Sequence, residues 1–327
     1  MPYIPLETTR LDADESIFFN RELETIMARS FDVLYPELKA IRLIPVDTSA
    51  GPGADSITYR QFDTVGLAKV IANYADDLPR ADVLGKEFTS KVRSIGGAYG
   101  YSLQEVRSAA KAGRPLAQMK ANAARRANDQ IVDKIAWLAK SSDTAYGGLV
   151  GLLYAPNVTT GTAPAGATTG VVPWYNANPA LQKNADEILT DLNNLVTDIV
   201  DLTGGVEVPD TLLLPIKQYS RLQKTRLAAG TDTTILEFFL ANNPSITSVE
   251  WVNELKALAP LPSGGAGPAD VAVCYRRSID KLSLQLPQPY EQLPAQERNL
   301  EFVVPTHSRC GGVIVHYPLS ISILEGI

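Results

Sequence analysis

At 327 residues and 35.3 kDa, with 45% hydrophobic residues, the chain can bury a sizeable core, which excludes global disorder and leaves room for one large domain or two ordinary ones. The formal net charge of -6 and pI near 5.1 argue against a general affinity for nucleic acid, and two cysteines, Cys274 and Cys310, are too few for a disulfide framework. The start, MPYIPLETTRLDADESIFF, has no basic segment leading into an apolar one, and no run of about 18 apolar residues occurs, so neither a signal peptide nor a membrane span is expected.

The first fifty residues do not read as the start of a compact domain. One amphipathic stretch from about Glu15 to Val33 places Ile17, Phe18, Leu23, Ile26, Met27 and Phe31 at helical spacing, and Tyr35-Pro36 breaks it. An irregular run then ends in Ser49-Ala50-Gly51-Pro52-Gly53. An arm with an apolar stripe and no second layer must bury that stripe elsewhere, on its own body or on a neighbour.

From Asp55 to about Val70, β-branched and aromatic residues mixed with polar ones predict a strand. A polar tip, ANYADDLPRADVLG, leads to a second strand-like run, KEFTSKVRSIGGAYGYS, with charge on both sides of Phe88, Val92 and Ile95. The pair predicts one long hairpin over residues 54–102, with too little apolar surface to be stable alone. Ser102 to Ser141 carries the strongest helical signal, with Leu103, Val106, Leu116, Met119, Ala123, Ala127, Ile131, Ile135 and Leu138 as its apolar stripe. Gly113-Arg114-Pro115 divides it, and Pro115 suits the first turn of a helix to Lys140, about 26 residues and roughly 40 Å long.

The next forty residues, rich in Gly, Thr, Pro and Asn, read as a long loop of the kind that usually serves an interaction. From Asn184 an alternating α/β pattern follows: helix Asp186 to Leu202, strand at Thr211 to Leu214, helices at Pro215 to Leu227 and Ile235 to Asn242, and a strand at Ile246 to Val252. A Pro- and Gly-rich patch precedes the strand DVAVCYR, and the chain then returns to strands in LSLQL, LEFVVPTH and GGVIVHYPLSISIL.

The net charge hides an asymmetry. Between Arg80 and Lys140 twelve basic residues face five acidic ones, a local +7 that leaves -13 for the remainder. A subunit that lays one segment over its neighbour gains from such complementary patches, although a solvated basic helix face explains the pattern equally well. Catalytic and metal-binding patterns are weak by comparison. His307, Cys310, His316 and Cys274 lack the tight spacing of a structural zinc site and read as buried thiols and satisfied histidines. Neither histidine lies near a G-x-S-x-G phrase, and the glycine pairs form no phosphate-binding motif. Asp76-Asp77 falls at the hairpin tip and Asp12 and Asp14 precede a helix, so both read structurally. No cofactor is expected, and the chain is not expected to be an enzyme.

Arm, long charged hairpin, long helix, α/β unit and a terminal return to strands is an order that resembles the tailed-phage major capsid proteins, whose fold is shared with encapsulin shells and the herpesvirus capsid floor. The phrases DTVGLAKVIANYADDLP at Asp63–Pro79, SIGGAYGYSLQE at Ser94–Glu105, PDTLLLPIKQYSRL at Pro209–Leu222 and GGVIVHYPLSISILEGI at Gly311–Ile327 carry the resemblance along nearly the whole chain. It implies an α+β fold with N-arm (1–53), E-loop hairpin (54–102), P-domain in two parts (103–183, with a spine helix at 115–140, and 278–327) and an A-domain (184–277). The implied function is self-assembly into hexamers and pentamers of an icosahedral head around double-stranded DNA, assembled in the bacterial cytoplasm and ending as the virion capsid.

Implied partners are further copies of the chain, scaffolding, portal and cement proteins, and packaged DNA held by nonspecific contact, for instance at Arg125 and Arg126; no membrane is implied. Candidate inter-subunit contacts are Arg80, Lys86, Lys91, Arg93, Asp76, Asp77, Phe18 and Phe19. An arm of only about fifty residues before the hairpin implies a separate scaffolding protein or a chain already processed. Hairpin lysines Lys69, Lys86 and Lys91 read as solvating residues, not as members of the lysine–asparagine cross-link that some shells of this fold form. Two other readings stand beside this one: an encapsulin-like nanocompartment shell, and a cytosolic α/β enzyme built on Asn184–Arg277.

Overall fold

The computed structural model describes residues 35–66, 80–113, 116–228, 230–265 and 267–327. The chain divides into two units, Met1–Glu37 and Leu38–Ile327, and the elements belong to the second. The amphipathic stretch 15–33, Asp12, Asp14, the hairpin tip with Lys69, and the Arg114-Pro115 break lie outside the described residues.

In chain order the elements are α1 (Ala40–Leu43), β1 (Val46–Asp47), β2 (Ser56–Val65), β3 (Asp82–Lys91), β4 (Arg93–Ser102), α2 (Leu103–Ala112), α3 (Leu116–Leu138), β5 (Thr159–Thr162), α4 (Ala185–Leu202) and β6 (Thr211–Leu214). They continue with α5 (Ile216–Lys224), α6 (Ile235–Asn242), β7 (Ser248–Trp251), β8 (Val271–Tyr275), β9 (Leu282–Gln285), β10 (Gln288–Gln292), β11 (Gln296–Arg298), β12 (Glu301–Cys310), β13 (Gly312–Val315) and β14 (Ile321–Glu325). Three helices start on the same local device, in which an N-cap side chain takes the N–H three residues on while a glutamate there reaches back to the cap. The pairs are Ser102 with Glu105 for α2, Asn184 with Glu187 for α4, and Thr234 with Glu237 for α6.

A five-stranded mixed sheet in the order β5-β14-β8-β6-β7 organises the body. Alternation along β8 sends Val271, Val273 and Tyr275 to one face and Ala272 and Cys274 to the other, and both faces are buried. One face packs on the second half of α3 and on β9 and β13; the other packs on α4, α5 and α6. This sheet draws β5 and β14 from outside the 184–277 span: β14 covers the edge of β8 that β6 leaves free, and β5 pairs in parallel with the far edge of β14. A second sheet, β1-β9-β13, lies beside it, and in a third β12 is central, with β4 along one edge and β10 and β11 along the other.

Three expectations need correction. The hairpin is shorter than 54–102: β2 and β3 pair from Ser56↔Lys91 to Val65↔Asp82, then Val92 is buried and β4 leaves to pair with β12 over its whole length. The apolar stripe of α3 holds at Ile135 and Leu138 but is misplaced before them. Met119, Ala123, Ala127 and Ile131 are exposed, while the buried side holds Asn128, Val132, Asp133, Ile135 and Ala136. Two polar residues occupy that side because each has a dedicated partner: Ser308 Oγ donates to Asn128 Oδ1 at 2.5 Å, and the Ala40 N–H to Asp133 Oδ1 at 2.9 Å. Finally, the long loop after α3 is packed, not free, since Leu149, Leu152 and Leu153 enter one core and Ala163 and Trp174 the other.

Candidate assembly surfaces

The β2–β3 ribbon has a docked base and an open end. At its base Tyr59 stacks on Phe88 at 5.2 Å and meets the His316 ring edge-on at 4.7 Å, and Ser90 Oγ donates to the Gly311 carbonyl at 3.2 Å. Arg309 clamps the turn before β2, donating to the Pro52 carbonyl at 2.6 Å and to Asp55 at 2.7 Å. Farther out, register puts Phe62 opposite Gly85, Thr64 opposite Val83 and Asp63 opposite Leu84. Directly opposite residues share a face and successive ones alternate, so Phe62 and Val83 lie on one side and Val65 and Leu84 on the other. All four are exposed, at 68%, 58%, 50% and 58% respectively. Among the described residues, this two-stranded ribbon with nonpolar side chains open on both faces has no second layer of its own.

An open cleft of about 760 Å³ separates the ribbon from the body, lined by Tyr59 to Phe62 on one side and by Asp47, Ile279, Asp280, His316 and Tyr317 on the other. Burial pushes the His316 imidazole below its ordinary value, against the opposing pull of Asp47 and Asp280. Elsewhere, the loop between β7 and β8 is held by the Ser263 N–H and Oγ, both on the Glu325 carboxylate at 2.7 and 2.6 Å, and by Tyr154 Oη donating to the Pro260 carbonyl at 2.6 Å.

The anticipated contact residues fall in different places. Arg80, Lys86 and Lys91 are exposed along the ribbon, Lys86 standing 5.1 Å from the Phe88 ring. Arg93 belongs to β4 and donates from Nε to the Gly147 carbonyl at 2.9 Å, so part of its guanidinium is occupied within the body. Asp76, Asp77, Phe18 and Phe19 lie outside the described residues. The exposed apolar residues Phe62, Val65, Val83 and Leu84 were not among the anticipated contacts, although the hairpin's want of an apolar partner layer pointed toward such residues. Arg125 is 71% exposed and faces Asp129 at 3.9 Å.

Among the described residues, no group of three or more His, Cys, Asp or Glu side chains is placed to hold a metal, and no helix is long and apolar enough to cross a membrane. Cys274 and Cys310 are buried, which pushes both thiols up, Cys310 to about 11, so neither carries a nucleophilic thiolate at neutral pH.

With this geometry in place, comparison identifies the fold. The capsid of Myoviridae phage XM1 superposes with a TM-score of 0.79 at 18% identity, covering 95% of this chain and 99% of that one. Mycobacterium phage Adephagia gives 0.60 at 12% identity over 94% and 98%, and a virus-like particle from Pyrococcus furiosus gives 0.53 at 11% over 87% and 91%. No curated protein sequence matches. The family model described as major capsid protein matches residues 66–327, from just past β2 to the last strand, and the chain therefore belongs to the major capsid protein family.

Proposed function

We propose that this chain is the repeated subunit of a phage head, closing into hexamers and pentamers of an icosahedral shell around double-stranded DNA. The observation that carries the reading is the family match over residues 66–327 together with a fold likeness to a phage capsid that spans nearly both chains. Its location is then the virion capsid, reached by assembly in the bacterial cytoplasm. A compartment that encloses an enzyme is less well supported, since the family model that matches is that of the major capsid protein.

In this reading residues 1–53 are the N-arm, the E-loop is the β2–β3 part of 54–102, β4 joins 103–183 and 278–327 in the P-domain, and 184–277 is the A-domain. The exposed nonpolar outer half of the ribbon supports its role: it lies over an adjacent subunit that supplies the missing second layer. Arg80, Lys86, Lys91 and the tip residues Asp76 and Asp77 then set its register by charge, and Phe18 and Phe19 anchor the arm. The loop 261–270 stands at the capsomer axis, scaffolding, portal and cement proteins bind the shell, and Arg125 meets packaged DNA through its phosphates only. Electron microscopy and size-exclusion chromatography of the expressed chain test the reading: closed shells or capsomers are expected, and a small oligomer under all assembly conditions overturns it.

A further inference from the structure

If the chain is a shell subunit, each copy must carry at least one surface and its counter-surface, and α4 separates such a pair. On one side of α5, Lys217, Arg221 and Lys224 follow one another at i, i+4 and i+7. With Tyr175, Gln182, Ser220 and Thr225 they line an open cleft of about 460 Å³ that, among the described residues, no acidic side chain lines. Arg221 donates to Gln182 Oε1 and to the Lys183 carbonyl, and its Nε is buried without an acceptor. Lys217 stands 4.9 Å from the Tyr175 ring, and neither Lys217 nor Lys224 has an ion-pair partner among the described residues. Tyr175 in the cleft is exposed, as are Leu181 and Ile216, the chain neighbours of Gln182 and Lys217.

The other end of α4 is the reverse image. Its last turns hold Asp198 and Asp201 and no cation, although a helix C-terminus already carries a partial negative charge. Both carboxylates are exposed and neither has an ion-pair partner among the described residues; partial burial, reinforced by Asp201, pushes the Asp198 carboxyl above its ordinary range. Just past the helix end, the buried Glu207 takes Lys281 and Arg276 as its partners. Leu202, Val206 and Val208 stand exposed beside the acids, Val206 at 73%.

These two surfaces cannot meet within one copy. Gln182, which lines the basic cleft, stands just before the Asn184 cap of α4, whereas Asp198 and Asp201 lie about 21–25 Å farther along the helix at 1.5 Å per residue. We propose that the basic cleft of one copy receives the acidic C-terminal turn of α4 from a second copy. The contact is head-to-tail, so every copy gives one end and takes another, and the arrangement closes where the rotation allows a ring. Charge sets the register, and the apolar residues on both surfaces lose their exposure together.

The test is charge reversal in the full-length chain. Lys217→Glu with Lys224→Glu, and separately Asp198→Lys with Asp201→Lys, should each raise the protein concentration needed for assembly by at least about tenfold, because like charges then face each other. The fourfold variant carrying all these changes should regain assembly near the native threshold. Thermal melting of the unassembled variants shows that each still folds. The native threshold should also rise with salt, as screened pairs require.

If either twofold variant assembles at the native threshold, or the fourfold variant fares no better than the twofold ones while melting like the native chain, the pairing is overturned and the shell reading stands. A lysine variant that assembles normally but binds a DNA oligonucleotide more weakly also overturns it, by assigning the cleft to phosphate. A native chain that forms no shell or capsomer overturns the shell reading, and this inference with it.

Discussion

Phe62 offers the sharpest separation between what stabilises one copy and what joins copies. Its ring lies across Gly85 on the ribbon and is otherwise open, with 68% of its surface exposed. At about 1.5–3 kcal/mol for fully burying a side chain of this size, covering that open fraction is worth about 1–2 kcal/mol per contact, or about 5- to 30-fold in the association constant. Replacing Phe62 by Ser should leave the melting of the unassembled subunit within about 0.5 kcal/mol of native, as for other exposed positions. The concentration threshold for assembly, followed by light scattering, should rise by at least that factor if, as proposed, each subunit lays down a ribbon and receives one. Val92→Ser is the contrasting control, because Val92 is buried at the ribbon base and should lower the melt itself. An unchanged threshold for Phe62→Ser, or a melt depressed as far as that of Val92→Ser, refutes the argument.

Three further outcomes test the body. Lys183 and Asp191 form a buried pair at 2.5 Å, with the Trp174 Nε1–H also on Asp191 at 2.6 Å, so Lys183→Met alone should cost about 3–5 kcal/mol in urea unfolding by leaving a buried charge uncompensated, and adding Asp191→Leu should recover part of that loss. At Glu187, burial raises the carboxyl but hydrogen bonds from Thr169, Asn184 and Thr168 outweigh it and bring the group from 4.5 to about 2. A carboxylate depressed on folding contributes stability above about pH 4.5 that is lost as pH falls toward 2, so Glu187→Gln should flatten the fall of the melting temperature across that window. Gly312 has φ of +73°, and a Cβ there would stand 2.5 Å from the Val150 carbonyl, so Gly312→Ala should destabilise by more than about 1 kcal/mol, read by thermal denaturation.

Most of the helices and the order of parts were legible before any coordinates, because periodicity and stop signals act over a few residues. Helices α4 and α6 lie within a residue of their expected spans, and the buried run Thr211–Leu214 is the strand it promised to be. The whole-chain resemblance led to the right family for a related reason: three of the four phrases that carry it hold the Ser102–Glu105 cap or the buried strands β6, β13 and β14. The weaker results have a common cause. Nothing local distinguishes a hairpin arm from a strand that turns at Val92 toward a partner two hundred residues away, as β4 does in pairing with β12. The candidate contacts chosen from charge alone included Arg93, which the body partly uses, and passed over the nonpolar residues at the open end of the ribbon.

By itself the sequence determined the α+β class, the long helix, the charge separation and the family, since each follows from composition, spacing or extended likeness. Tertiary structure alone decided which side of α3 is buried, because Asn128 and Asp133 become buriable only when Ser308 and the Ala40 N–H arrive from distant segments. It also decided that the basic cleft and the acidic turn stand at opposite ends of α4. Their charges are plain in the chain, but the distance that keeps them apart is a property of the folded body.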